Sequence, residues 1–415
     1  MQCEKNTKRN KECHRNRRFL LPCLCGMLYG EKYPQLHAPS DDWGGIYSRG
    51  SLAAMGSAFF VTYGTGQLIN GFVGDRVSAK YMVSAGLLIS GISCAAFPFL
   101  PSEALALALW GICGFLCSML WGPISKMVGE NTSKQVGTVL LTLLTVASIA
   151  GTAVTYLLAV LSALKKDWRF GFLVTGVALA GLAVFWFFAD CLMERKGIIR
   201  RMAVPAKGAR QGHNVAVLLK NGFIAMTLAA MLNGIIRNAV AFWIPTFISE
   251  RFSVSAAAAA EISSILPFVN LGGALFSVRL AEWTQNDEKK ALTIFFVFTA
   301  LMFGIMILLG NGWMVLNVAA LFCASAAMTG GSNLIFTHYV LCFAETGRIS
   351  SITGFLDFSS YIAASAASVL FSSLVPSHGW DFVVGVWAAV ALAGAAASWY
   401  AARSARTYAA AHSSG

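Results

Sequence analysis

One arginine lies where charge is costly. In the run Asn233-Gly234-Ile235-Ile236-Arg237-Asn238-Ala239-Val240-Ala241-Phe242-Trp243-Ile244-Pro245-Thr246-Phe247, Arg237 is embedded among mostly apolar residues. At the centre of a lipid-spanning helix an arginine costs about 2.5–3.5 kcal/mol on insertion scales, so it must face a polar interior and have a partner. Asn233, four residues earlier, shares its helical face. A planar guanidinium forks onto two oxygens of a phosphate or carboxylate, which leaves two roles open. Arg237 is either the anchor for an anionic ligand or one half of an ion pair with Asp357, the intramembrane carboxylate of Gly354-Phe355-Leu356-Asp357-Phe358-Ser359-Ser360-Tyr361. His338, in Ile335-Phe336-Thr337-His338-Tyr339, belongs to the residue type that titrates near neutral pH and fits either proton coupling or hydrogen-bonded packing. Tyr63 and Gln67 share a face of an earlier segment, and Asn270, Asn333 and Tyr361 are further polar groups able to line a cavity.

A second grouping is built for position. Gly71-Phe72-Val73-Gly74-Asp75-Arg76-Val77-Ser78-Ala79-Lys80 joins two apolar runs. Gly71 and Gly74 allow close helix approach. At the water boundary the Asp75 carboxylate suits the N–H groups of a neighbouring helix start, and the Arg76 guanidinium suits carbonyl ends. The stretch Gly273-Ala274-Leu275-Phe276-Ser277-Val278-Arg279-Leu280-Ala281-Glu282 is a degenerate counterpart later in the chain, with Glu282 at the acidic position.

The elements that must carry these residues follow from composition. Of 415 residues 57% are apolar and 12% charged, about half the charge of an ordinary soluble protein, which excludes a soluble fold. A membrane-crossing helix takes about 20 mostly apolar residues. Eleven such segments are expected, at 51–71, 80–100, 104–127, 136–164, 170–191, 222–248, 256–280, 291–310, 314–343, 349–375 and 382–402. Runs of this length are helices, because an open strand leaves its backbone unsatisfied in lipid. The fold class is all-α and polytopic.

The formal net charge of +12 reports topology rather than nucleic acid. With the Asp75-Arg76 turn inside and sides alternating, seventeen basic residues after position 50 fall inside and four outside, with Arg237 alone well inside a span. That bias follows the positive-inside rule and puts the C-terminus in the cytoplasm. The longest polar connection, 193–221, separates five spans from six, a 6+6 pattern without its first member. The expected organisation is an atypical basic and polar segment 1–50, a bundle 51–192, a central cytoplasmic loop 193–221, a second bundle 222–403 and a tail 404–415. Within 1–50 the apolar stretch 19–29 has eleven residues and reaches about 16 Å as a helix, roughly half the hydrocarbon core. It reads either as a signal-like start after Arg17-Arg18 or, preferably, as an unrelated or damaged segment in place of a first helix.

The turn 71–80 resembles the major facilitator superfamily, which carries G-x-x-x-D-R-x-G-R-R between its second and third helices. Gly71, Asp75, Arg76 and Lys80 match this pattern, while Ser78 and Ala79 depart from it. The run Arg237, Trp243-Ile244-Pro245-Thr246 and Glu250 is similar to the seventh helix of the organophosphate:phosphate antiporters. Trp121-Gly122-Pro123, Trp168-Arg169, Gly347-Arg348 to Gly354 and Gly379-Trp380 add resemblance of lower specificity over 51–403. The resemblance implies two pseudo-symmetric bundles, alternating access, and Arg237 as a phosphate-binding arginine. A second such arginine would belong to the first helix. Arg49 is the nearest candidate, in surroundings that match poorly.

The expected activity is therefore secondary active transport of a small organic anion such as a sugar phosphate or glycerol phosphate, exchanged for inorganic phosphate, with Gly71, Asp75, Arg76 and Lys80 gating. Proton-coupled transport of another solute through Asp357 or His338, a transporter-derived membrane sensor, and a non-functional remnant stand as alternatives. No Walker loop, strand-turn-helix dinucleotide site or nucleophile with a base is apparent, so neither an enzyme nor a cofactor is expected. Cys23-Leu24-Cys25 makes no metal or disulfide framework, and Cys113 and Cys117 read as packing residues. The expected partners are the anionic solute and the lipid bilayer of the cell membrane, with no nucleic acid, around a monomer.

Overall fold

The computed structural model describes residues 49–165, 167–199, 217–218 and 220–412. The expectations for the apolar stretch 19–29, and for the rest of the chain before Arg49, lie outside the described residues. Every regular element among those described is helical: α1 (Arg49–Gly74), α2 (Ala79–Ala96), α3 (Glu103–Cys117), α4 (Trp121–Asn131), α5 (Lys134–Leu164), α6 (Trp168–Arg195), α7 (Phe223–Phe252), α8 (Ala256–Ser263), α9 (Leu266–Trp283), α10 (Glu288–Leu309), α11 (Met314–Asn333) and α12 (Ile349–His412). Beyond α11 the chain continues through a π-helical turn, Leu334–Tyr339, and a 3₁₀ stretch, Val340–Thr346.

Among the described residues ten helical segments are long and apolar enough to cross a membrane, against eleven expected. The remaining one, 51–71, lies in α1, whose 26 residues reach about 39 Å. Its length suffices, but Tyr63, Gln67, Asn70 and six glycines dilute its apolar character. The exterior of the spans is apolar, with Leu308, Val315 and Ile224 among the most exposed side chains. That distribution suits lipid rather than water as the surrounding solvent.

Backbone contacts divide the chain into two units, Met1–Ala206 with Gly347–Phe355, and Lys207–Thr346 with Leu356–Gly415. In the first, α2 packs along α6 and α1 along α3. Gly91 and Gly176 meet where α2 crosses α6. A Cβ on Gly91 would stand 2.8 Å from the Gly176 carbonyl oxygen and one on Gly176 2.7 Å from that of Gly91, so only glycine admits this approach. Buried aromatic rings fill part of this unit's core, Phe97 stacking on Phe172 at 4.8 Å and meeting Trp110 edge-on at 5.1 Å. Contacts of this geometry add to simple area burial. The Ser102 hydroxyl and Asp167 carboxylate cap α3 and α6 by accepting from Leu105 N and Arg169 N, each satisfying a donor the helix start leaves free.

In the second unit α11 packs against α7, α9 and α10. The Asp287 carboxylate caps α10 by accepting from Lys290 N. The α12 helix is broken at Gly379, where φ is +77°. This left-handed value suits glycine, and it follows Pro376, which removes a helical donor. The two spans expected at 349–375 and 382–402 thus meet through a kink. The far end of α7 is tied to the second limb of α12: Trp380 Nε1 donates to Glu250 at 2.9 Å, and Arg251 pairs with Asp381 at 2.6 Å.

Candidate functional site

The first assembly is a clamp inside the first unit. Asp75 follows α1 at its end, and its Oδ1 and Oδ2 accept from the backbone N–H groups of Ser350 and Ser351, both at 3.1 Å. The Ser351 hydroxyl donates to the same carboxylate. Ser350 and Ser351 open α12, so a negative charge meets the positive end of a helix and its free donors together. The approach depends on glycine: a Cβ on Gly71 would lie 2.9 Å from the Ser350 carbonyl oxygen, and one on Gly354 would run into the carbonyl oxygen of Gln67.

Lys126 completes the clamp. Its side chain is fully buried, donates to the Asp75 backbone carbonyl at 2.7 Å, and has its ammonium 3.9 Å from Asp75 Oδ1 and 3.7 Å from Glu130. Burial pushes the Asp75 carboxyl above the ordinary carboxylate range, while the Ser351 hydrogen bond and the Lys126 charge oppose that rise. The other residues of the turn do separate work. Arg76 donates to the carbonyl oxygen of Phe72 at 3.0 Å, closing the exposed end of its own helix, and Lys80 pairs with Glu194 of α6 at 2.7 Å. Sequence reasoning missed Lys126, Glu130, Glu194 and the two serines. Lys126 had a signal, since it lies five residues short of the α4 end yet was counted as a loop charge. In the later counterpart, Glu282 pairs with the exposed Arg279 at 3.0 Å, three residues away on the same helix.

The second assembly lies on the faces of α7, α9 and α11 in the second unit. Arg237 is half-buried, and its Nη1 donates to the Ser332 hydroxyl at 3.0 Å. The hydrogen bond of Arg237 is thus to a neutral hydroxyl on α11. A hydroxyl takes one of five guanidinium donors. Asn233, one turn earlier and buried, donates to the Met328 carbonyl oxygen at 2.9 Å. Asn270 accepts from Ser325 at 2.9 Å, and Asn333 donates to Ser277 at 2.8 Å. These polar side chains fasten α7 and α9 to α11 and fix the backbone that holds Arg237.

The remaining predicted positions are spread. Tyr63 is half-buried on α1 and stacks on Phe59 at 6.0 Å, and Gln67 is buried on the same helix with its amide nitrogen lacking a partner among the described residues. His338 is buried in the π-helical turn after α11, Asp357 is buried on α12, and Tyr361 is half-buried one turn further on. Ser332 was missed because a serine in a small-residue run, Thr329-Gly330-Gly331-Ser332-Asn333, carries no signal of its partner.

An all-helical polytopic chain with a helix-start clamp after its first described span and a half-buried arginine inside a later one defines a membrane transporter, and residues 34–368 match the model of the Major Facilitator Superfamily. The chain belongs to that superfamily. It is 23% identical to the membrane sensor protein UhpC of Salmonella typhimurium, over 84% of this chain and 81% of that one. It is 21% identical to the glucose-6-phosphate exchanger SLC37A2 of Xenopus laevis, over 80% of this chain and 76% of that one. Among solved structures, the fucose:proton symporter FucP of Escherichia coli superposes with a TM-score of 0.69 at 14% identity, covering 96% of this chain and 99% of that one. That likeness shows the fold.

Proposed function

We propose that the protein is a secondary active transporter of a small organic anion, an organophosphate exchanged for inorganic phosphate, working by alternating access between bundles 51–192 and 222–403. One observation carries the reading: inside a span, the Arg237 guanidinium rests on the Ser332 hydroxyl at 3.0 Å and keeps its charge for a ligand. A phosphate monoester offers the oxygens that such a fork binds. The relative named for glucose-6-phosphate exchange supports this solute class. Arg237 is the anion anchor, with Asn233, Tyr63, Gln67, Asn270, His338, Asp357 and Tyr361 as neutral or proton-bearing groups along the path. Gly71, Asp75, Arg76 and Lys80 form the gate, which holds the start of α12 until the anion is loaded. The protein acts as a monomer in the cell membrane with its C-terminus in the cytoplasm, and performs no catalysis.

A second reading is favoured by one relative, the membrane sensor UhpC: the same site binds a phosphorylated solute and reports to a partner without net flux. Proteoliposomes preloaded with inorganic phosphate separate the two. Counterflow of labelled phosphate or glucose 6-phosphate supports exchange, uptake driven only by a pH step supports a proton carrier, and saturable binding without flux supports the sensor. Absence of both binding and flux with every phosphorylated solute overturns the anion reading.

A further inference from the structure

Asp190 is a buried acid that neither assembly uses. It lies on α6, is 2% exposed, and its Oδ1 has no hydrogen-bond partner among the described residues. An ionised carboxylate sealed from water and given no donor is costly by several kcal/mol, and such a group ordinarily takes a proton instead. One helical turn further on, and on the same face, Glu194 holds the Lys80 ammonium at 2.7 Å. Lys80 stands at the head of α2, the helix most closely packed along α6. Its ammonium sits on a flexible four-carbon stem with three rotatable donors.

The titratable groups on the elements packed against α6 are few. Besides Lys80 they are Tyr81, whose ring lies 5.1 Å from the Lys80 ammonium, and Cys94 deeper along α2. Lys134 is that of α5 among the side chains described, the turn Phe97–Phe99 carries none, and α6 itself adds Arg169 at its start and Cys191, Glu194 and Arg195 near its end. Lys80 is the cation in this set that is already engaged with the face bearing Asp190.

We propose that Asp190 is a proton-binding site of the first unit, occupied in the arrangement seen here, and that its deprotonation transfers Lys80 from Glu194 to Asp190. In the occupied state the carboxyl is neutral and Lys80 donates to Glu194. On deprotonation the proton passes to water, the new carboxylate accepts from the Lys80 ammonium, and Glu194, already 19% exposed, turns to solvent. The exchange moves the first turn of α2, five residues beyond Asp75, and so links the proton to the segment bearing the clamp. The site binds a proton whichever solute the protein carries, so its test is independent of the anion reading.

The experiment is infrared spectroscopy of the full chain in lipid nanodiscs across a pH titration. A carboxylic-acid C=O band is expected at the acid end of the titration that fades as pH rises, disappears in Asp190→Asn and persists in Asp357→Asn. A band unchanged in Asp190→Asn overturns the proposal. Lys80→Met is read separately and does not depend on Asp190→Asn folding: without the waiting cation, the band must survive to higher pH than in the unaltered protein. A titration that does not move in Lys80→Met overturns the transfer of Lys80.

Discussion

Asp75 accepts a hydrogen bond from the backbone N–H of Ser350 at 3.1 Å, across 275 residues of chain. Three donors converge on that carboxylate from one helix start, and hydrogen bonds to a charged group contribute about 1.5–3 kcal/mol each. An amide in its place keeps one acceptor oxygen, turns a donor toward another donor, and loses the charge opposite the helix end. Asp75→Asn is therefore expected to fold and to lower transport by at least about tenfold, the equivalent of roughly 1.4 kcal/mol. Uptake normalised to purified protein in proteoliposomes is the check, and full activity would remove Asp75 from the gate.

The same carboxyl sets a pH dependence. Because burial raises it above its usual 3.8, the clamped form holds a proton more tightly than a solvent-exposed aspartate does. Its contribution to stability is greatest below the ordinary value and is lost as pH rises through the raised one. Melting of the protein in detergent between pH 4 and 7 should show this decline, and Asp75→Asn should flatten it. A variant with the slope of the unaltered protein would contradict the assignment.

Lys126 gives a sharper stability effect. Its fully buried ammonium has Asp75 and Glu130 as compensation. Removing one side of a buried charge arrangement costs on the order of 3 kcal/mol because the other side stays buried. Lys126→Met should lower the melting temperature by several degrees, and Lys126→Met with Glu130→Gln should recover part of the loss. No recovery in the double variant would show that the two charges are not coupled.

Close packing is testable at one glycine against another. A Cβ on Gly354 collides with backbone atoms of Gln67 and Gly71, whereas one on Gly181 of α6 meets nothing within 4 Å. Gly354→Ala should cost activity and stability together, since backbone on a packed helix cannot retreat. Gly181→Ala should be neutral or stabilising by up to about 1 kcal/mol through helix propensity. Equal melting temperatures for the two variants would contradict the close approach of α1 and the start of α12.

Most of the helical layout was legible because apolar length is a one-dimensional signal. The spans beginning at residues 80, 104, 170, 291 and 314 correspond to segments that start within two residues at Ala79, Glu103, Trp168, Met314 and, three residues early, Glu288. The Asp75 turn was legible for a similar reason, since an acid between two spans has few places to go except a helix end. Its partners were not legible. Ser350 and Ser351 are ordinary residues until the fold brings them to Asp75, and Lys126 looked like a loop charge because a lysine near a helix end usually reaches water. For Arg237 the sequence offered a carboxylate partner by electrostatics alone, whereas the register of α7 against α11 places Ser332 beside it. Register between helices is a tertiary property, and no local pattern encodes it.

The direct test of the anion site is Arg237→Lys, assayed by counterflow of labelled inorganic phosphate and by competition with glucose 6-phosphate in proteoliposomes. Lysine retains the positive charge but loses the planar fork. The expected result is at least a tenfold loss of apparent anion affinity, with unchanged expression and melting temperature. Affinity and exchange equal to those of the unaltered protein would contradict the role of Arg237 as the anchor.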